Sequence, residues 1–173
     1  MVVKTLHADV ERETRRLHLL HADHLQCRRG CSACCVDDLT VWDVEAELIR
    51  EAHAELLRDG IPREVGACAF LDAEGGCRVY ANRPYVCRTQ GLPLRWLEVE
   101  DGQEVEIRDI CPLNMVEVPI EELPADDCWT LGPFEERLAR LQLQARPSPG
   151  HSAESRHAVP SGRVLLRSLF SLK

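Results

Sequence analysis

Of the nine cysteines in this 173-residue chain, eight fall between Cys27 and Cys111. The first group reads Cys27-x-x-x-Cys31-x-x-Cys34-Cys35. On a helix turning about 100° per residue, Cys31 lies about 40° from Cys27, Cys34 about 20° to the other side, and Cys35 about 80° away at the stripe's edge. Gly30 offers the alternative of a broken helix and a metal-binding loop. A second group follows: Cys68 and Cys77 on either side of a glycine turn, then Cys87, then Cys111 before Pro112. Clustered thiolates repel one another and are costly to bury alone. A divalent cation or an iron–sulfur cluster removes that cost and lowers the thiol pKa values. Four sulfurs complete a tetrahedral zinc site or an iron–sulfur site, so eight allow two such sites or one with reserves. The neighbours Cys34 and Cys35 do not easily fill two vertices of one small site, so they serve different metals or one is spare. Thiolates accept both zinc and iron, and the choice between them stays open. Cys128 stands outside both groups and reads as a buried structural thiol.

Disulfides are the competing use of cysteine. The count is odd, adjacent cysteines are strained when bridged to each other, and Met1 to Val10 lacks the basic-then-apolar pattern of a secretory leader. The expected location is therefore the cytoplasm. No run of about 18 apolar residues exists to span a membrane. A net charge of -8 argues against a global attraction to nucleic acid. An aromatic content of 5% implies a modest core that a metal staple would help.

The elements that must position these thiols are legible in outline. Thr5 to Gln26 has a helical stripe of Val10, Leu17, Leu20 and Leu25. It carries His7, His18, His21 and His24, of which His21 and His24 share a face; they read as solvated polar residues or as supplementary ligands. Thr40 is placed to cap a helix over Val41 to Arg58, with Asp43 at the capping-box position and Gly60 and Pro62 as the stop. Cys68 to Tyr80 reads as two short extended pieces around a glycine turn, and Arg83-Pro84 opens a short helix carrying Cys87. Pro93 to Asp109 reads as a hairpin turning at Asp101-Gly102, with Trp96, Val99, Val105 and Ile107 as its apolar residues. Pro133 to Ala145 forms a last helix. The predicted fold class is α+β and mainly helical: a small single domain, residues 1–145, organised around a cysteine-ligated metal site, with short β-hairpins. Residues 146–173 read as a flexible tail ending in an apolar segment, Val164 to Leu172, that suits a short helix docked on a partner, on a membrane surface or on its own domain.

Together these motifs resemble the YkgJ-like cysteine-cluster family, whose members are described as zinc- or iron-chelating. Cys27 to Cys35 is similar to the family's C-x-x-C-x-x-C-C block, with one extra residue in the first gap. Leu39-Thr40 with Glu45 and Glu47, Cys68-Ala-Phe-Leu-Asp with Gly76-Cys77-Arg-Val-Tyr80, and Arg83-Pro84-Tyr85-Val86-Cys87-Arg88 resemble the blocks that follow. The resemblance covers residues 27–111 and implies a metal-chelating domain without implying a reaction. A related group, the flagellin lysine methylases, carries a similar cluster in a larger enzyme, but no glycine-rich nucleotide loop stands in this chain. Beside such a cluster, Arg83 and Arg88 would offset residual negative charge and donate hydrogen bonds to sulfur. Tyr80 and Tyr85 would cover the site or simply pack in the core.

Three functions are compatible with this sequence. One is a binding module in which zinc or iron has a structural or chelating role; it needs only the cysteines and is preferred. The second is an iron–sulfur redox protein or enzyme, for which Asp37, Asp38 and His53 are available as acids or bases. The third is a metal-organised interaction module that engages a protein partner through its C-terminal tail.

Overall fold

A computed structural model of the chain describes residues 2–114, 119–145 and 162–170. They contain both helices and short sheets, an α+β composition, and group into two compact units. The first comprises Met1–Arg29 and Tyr85–Arg137, the second Gly30–Pro84 and Leu138–Lys173.

In the first unit, helix α1 (Val2–Leu20) buries Leu6, Val10, Thr14 and Leu17, a stripe at helical spacing. The stripe continues to His21 just past the helix, whereas Leu20, expected on it, is exposed. The helix stops well short of the expected Gln26, so the cysteine run does not continue it. Residues 25–39 lie outside any helix or strand, which selects the loop alternative for Cys27 to Cys35. Helix α4 (Tyr85–Thr89) follows Arg83-Pro84, as the proline's fixed φ favours, and packs on α1. Strands β2 (Leu94–Glu100) and β3 (Gln103–Asp109) pair antiparallel with Glu100 opposite Gln103. Asp101 and Gly102 both take positive φ, 51° and 79°, the requirement of a tight two-residue hairpin turn. The register divides the hairpin's apolar residues between its two faces. Trp96 stands opposite Ile107, but Val99 pairs with Glu104 and projects to the other side, because 96 and 99 differ by an odd number. Strand β4 (Trp129–Thr130) pairs parallel with β2. Trp129 packs with Tyr85 and Phe134, and its Nε1 donates to the Tyr85 hydroxyl at 2.9 Å. Both Trp129 and Tyr85 are fully buried, so Tyr85 is a core residue.

In the second unit, Thr40 does not cap a helix. It opens strand β1 (Thr40–Trp42), which pairs antiparallel with β5 (Arg163–Leu165). A Thr-Val-Trp triplet suits a strand, and its partner lies more than a hundred residues away. Helix α2 (Asp43–Ala52) therefore begins later than expected, and its first amides find other acceptors: Asp43 N–H donates to the Gly162 carbonyl at 2.9 Å and Val44 N–H to Gln142 Oε1 at 3.1 Å. Asp43 and Glu45 in its first turn complement the helix dipole. His53, at φ -131°, separates α2 from α3 (Ala54–Asp59), so the single expected helix is two.

The apolar C-terminal segment is not a helix in its described part. It runs as β5 and then a 3₁₀ turn over Leu166–Leu169, with Val164, Leu166, Leu169 and Phe170 buried and Phe170 5.0 Å from the Phe70 ring. The rest of the expected tail, 146–161 and 171–173, lies outside the described residues. Helix α5 (Pro133–Gln144) precedes it as expected. Among the described residues no helix is long and apolar enough to cross a membrane.

Candidate metal centre

All nine cysteines lie in the described residues and none forms a disulfide. Five of the eight predicted ligands belong to the second unit: Cys31, Cys34, Cys35, Cys68 and Cys77. Their spacing is set by two loops held together by backbone. Cys35 N–H donates to the Ser32 carbonyl at 2.9 Å, which tightens the Cys31–Cys35 loop, and Cys68 N–H donates to the Cys35 carbonyl at 3.0 Å. Asp72 shapes the glycine turn, its Oδ1 accepting from Glu74 N–H at 3.0 Å and Gly76 N–H at 2.6 Å, while Leu71 and Cys77 form a β-bridge across it. That single bridge replaces the two extended pieces expected there. The turn lies close to the first loop: a Cβ built on Gly75 would stand 3.3 Å from the Gly30 carbonyl oxygen.

The thiols differ in state. A hydrogen bond from the Cys35 thiol lowers Cys34 to about 6, below the usual thiol range, which favours the thiolate form of this exposed cysteine. Burial pushes Cys68 and Cys77 upward, and negative charge adds to the rise, from Asp37 at Cys68 and from Cys68 at Cys77. Cations oppose that rise: Arg167 and Arg78 act on Cys68, and Arg83 and Arg78 on Cys77. Arg83 has its guanidinium over the ring of the exposed Tyr80, 3.9 Å from its centroid. Arg78 and Arg167 were not singled out from sequence. Arg167 donates to Asp37 Oδ1 and to the carbonyls of Arg63 (2.8 Å), Glu64 (3.1 Å) and Ala67 (2.9 Å). Asp37 Oδ2 in turn accepts from Gly66 N–H at 3.0 Å, so its carboxyl is held below its usual range. Asp37 thus ties the loop after Cys35 to the loop before Cys68. His53 donates from Nε2 to Asn82 Oδ1 at 3.0 Å.

Cys27, Cys87 and Cys111 belong to the first unit. Cys87 is carried half-buried on α4. The exposed Cys27 accepts a hydrogen bond at Sγ from Asn114 Nδ2 at 3.3 Å, and Asn114 N–H donates to the Cys111 carbonyl at 2.8 Å. Arg88 is buried, with its guanidinium on Glu11 of α1. The histidines of α1 and the following turn have other uses: His18 Nδ1 meets the Thr14 carbonyl at 2.7 Å, and buried His21 donates from Nε2 to the Asp127 carbonyl at 2.8 Å. His7 is also buried, so the solvated-face expectation fails for it and for His21. Cys128 is buried, and desolvation raises its pKa.

Among the described residues no three His, Cys, Asp or Glu side chains converge in a set able to hold a metal ion. The donor chemistry itself suits a thiophilic metal. The loops gather soft sulfur donors, one of them with a lowered pKa, beside guanidinium groups that offset their charge. A Cβ on Gly91 would lie 2.5 Å from Cys27 Sγ, so that sulfur occupies a cradle left open by glycine.

Residues 26–112, just over half of the chain, match the model of the CxxCxxCC family, described as a "putative zinc- or iron-chelating domain". No curated protein and no solved structure matched the chain. With its cysteine loops, its glycine turn and the Arg-Pro-led helix all inside the matched span, the chain belongs to the CxxCxxCC family.

Proposed function

We propose that this protein binds zinc or iron, the iron as an ion or an iron–sulfur cluster, through thiolates drawn from Cys27, Cys31, Cys34, Cys35, Cys68, Cys77, Cys87 and Cys111, in a structural or chelating role. The observation that carries this is the loop pair of the second unit. Cys34, its pKa lowered by the neighbouring Cys35 thiol, sits in a loop whose Cys35 carbonyl is bonded to the amide of Cys68, within a family described by chelation. Mutually repelling sulfurs have no reason to converge before a cation neutralises them. Rotation about χ1 of each cysteine is the motion that a metal would drive. Protons on Cys68 and Cys77 would leave as it binds, since the thiolate is the ligand. Arg83, Arg78 and Arg88 supply nearby positive charge in this account. A reducing cytoplasm is the compartment that keeps such thiols available.

The test compares Cys31→Ser, Cys77→Ser and Cys128→Ser with the wild type, by metal per chain and thermal melting. The first two are expected to lose metal and stability together, while Cys128→Ser keeps full metal content. Retention of full metal by both Cys31→Ser and Cys77→Ser would show that these thiols are not ligands.

A further inference from the structure

Asn114 lies outside the matched family span, yet it is 2% exposed and every polar atom of its side chain is engaged around one sulfur. Oδ1 accepts from the Gln26 amide at 2.7 Å, and Nδ2 donates to the Gly91 carbonyl at 2.6 Å and to Cys27 Sγ at 3.3 Å. The amide orientation is fixed twice over: the oxygen faces an N–H and the nitrogen faces a carbonyl, so a flip would set like against like at both ends. The remaining Nδ2 hydrogen points to sulfur. On the other side Gly91, at φ +91°, leaves the space that Sγ fills. Any Cβ at residue 91 would lie within 2.5 Å of that sulfur. The carboxamide is buried while Cys27 is exposed, so the sulfur is held from behind and open in front.

The geometry points to Asn114 as a positioning residue that holds the Cys27 sulfur for metal, with Gly91 as the opening that admits it. This rests on the metal-binding function proposed above. An N–H donor stabilises a sulfur that carries negative charge more than it does a neutral thiol. The bond to Asn114 therefore favours the ligating form, and it fixes one rotamer in advance. It also assigns work to Cys27, the residue displaced by the extra spacing in its motif. Supporting groups of this kind typically change metal affinity by about 10- to 100-fold.

Zinc affinity, measured by competition with a chromophoric chelator, is compared for the wild type, Cys27→Ser, Asn114→Asp and the double variant, with melting of each zinc-free form. Asn114→Asp keeps the shape and the acceptor for Gln26 but replaces the donor by a carboxylate oxygen. If it does not fold, Asn114→Ala, which adds no charge, is measured in its place. Expected are a loss of about 10- to 100-fold for Asn114→Asp, a loss at least as large for Cys27→Ser, and no loss in the double beyond that of Cys27→Ser, because both remove the same held sulfur. Losses that multiply in the double variant would show that Asn114 acts elsewhere, and wild-type affinity in either single variant would overturn the inference alone. A wild type that takes up no zinc or iron would overturn the function itself, and this inference with it.

Discussion

Replacing Arg167 by alanine removes the tie between the two cysteine-bearing loops. The guanidinium makes four hydrogen bonds, one to the Asp37 carboxylate and three to the carbonyls of Arg63, Glu64 and Ala67. Bonds to neutral carbonyls contribute about 0.5–1.5 kcal/mol each and a charge-assisted bond more. The side chain is 26% exposed, so water replaces part of what is lost, and bonds from one group are not additive. The expected loss is about 2–3 kcal/mol, or about 4–12 °C in melting temperature for a chain of this size. Arg167→Lys, with one point charge in place of a planar fork, should recover less than half of it. Urea denaturation of the reduced, metal-free protein gives the magnitude. Hydrogen exchange gives the location, since the amides of Gly66 and Cys68, bonded to Asp37 and Cys35, should lose protection. A loss below about 0.5 kcal/mol, or full recovery by lysine, would refute the clamp, because neither fits four directed hydrogen bonds.

Tyr85→Phe leaves the buried Trp129 Nε1 without its acceptor and should cost about 1–3 kcal/mol in the same denaturation experiment; a neutral result would mean that water reaches this cluster. Asp37 is held below its ordinary carboxylate value of 3.8, first by the Gly66 amide and also by Arg167. Its contribution to stability is therefore complete above that value and disappears as pH falls through the depressed one. Asp37→Asn should lower stability at neutral pH and flatten the acid limb of the stability curve, and an unchanged limb would count against that assignment.

Features encoded over a few residues could be read from the sequence. Asp101-Gly102 marked the hairpin turn, Pro84 the start of α4 and Pro133 that of α5, and each depends on local backbone chemistry. Features encoded across the chain could not. Thr40 had the signature of a helix cap, but β5 claims its backbone from more than a hundred residues away, and Arg163 donates to its hydroxyl and carbonyl. Val164 to Leu172 suited a frayed tail or a short helix packed on its own domain, whereas its described part forms β5 and a 3₁₀ turn, with Phe170 against Phe70. Tyr85 had a site-covering and a core interpretation, and only its contact with Trp129 separates them.

The candidate ligands were visible because cysteine itself is the signal. Their supports were not: Arg167 and Asn114 are ordinary polar residues whose importance comes from what they face, and Asp37 stood out only as an available acid or base, not as the tie between two loops. Arg78 stood next to Cys77 in the sequence and gave a usable clue: a cation adjacent to a ligand candidate.

The central claim is tested most directly on the full chain, purified without oxygen and without a metal-affinity tag, by elemental analysis and the visible spectrum of one sample. The account predicts stoichiometric metal: colourless protein with zinc, or iron with a thiolate-to-metal absorption band, accompanied by inorganic sulfide if the iron is in a cluster. A folded, monodisperse protein containing neither zinc nor iron, and taking up neither when supplied under reducing conditions, would contradict it.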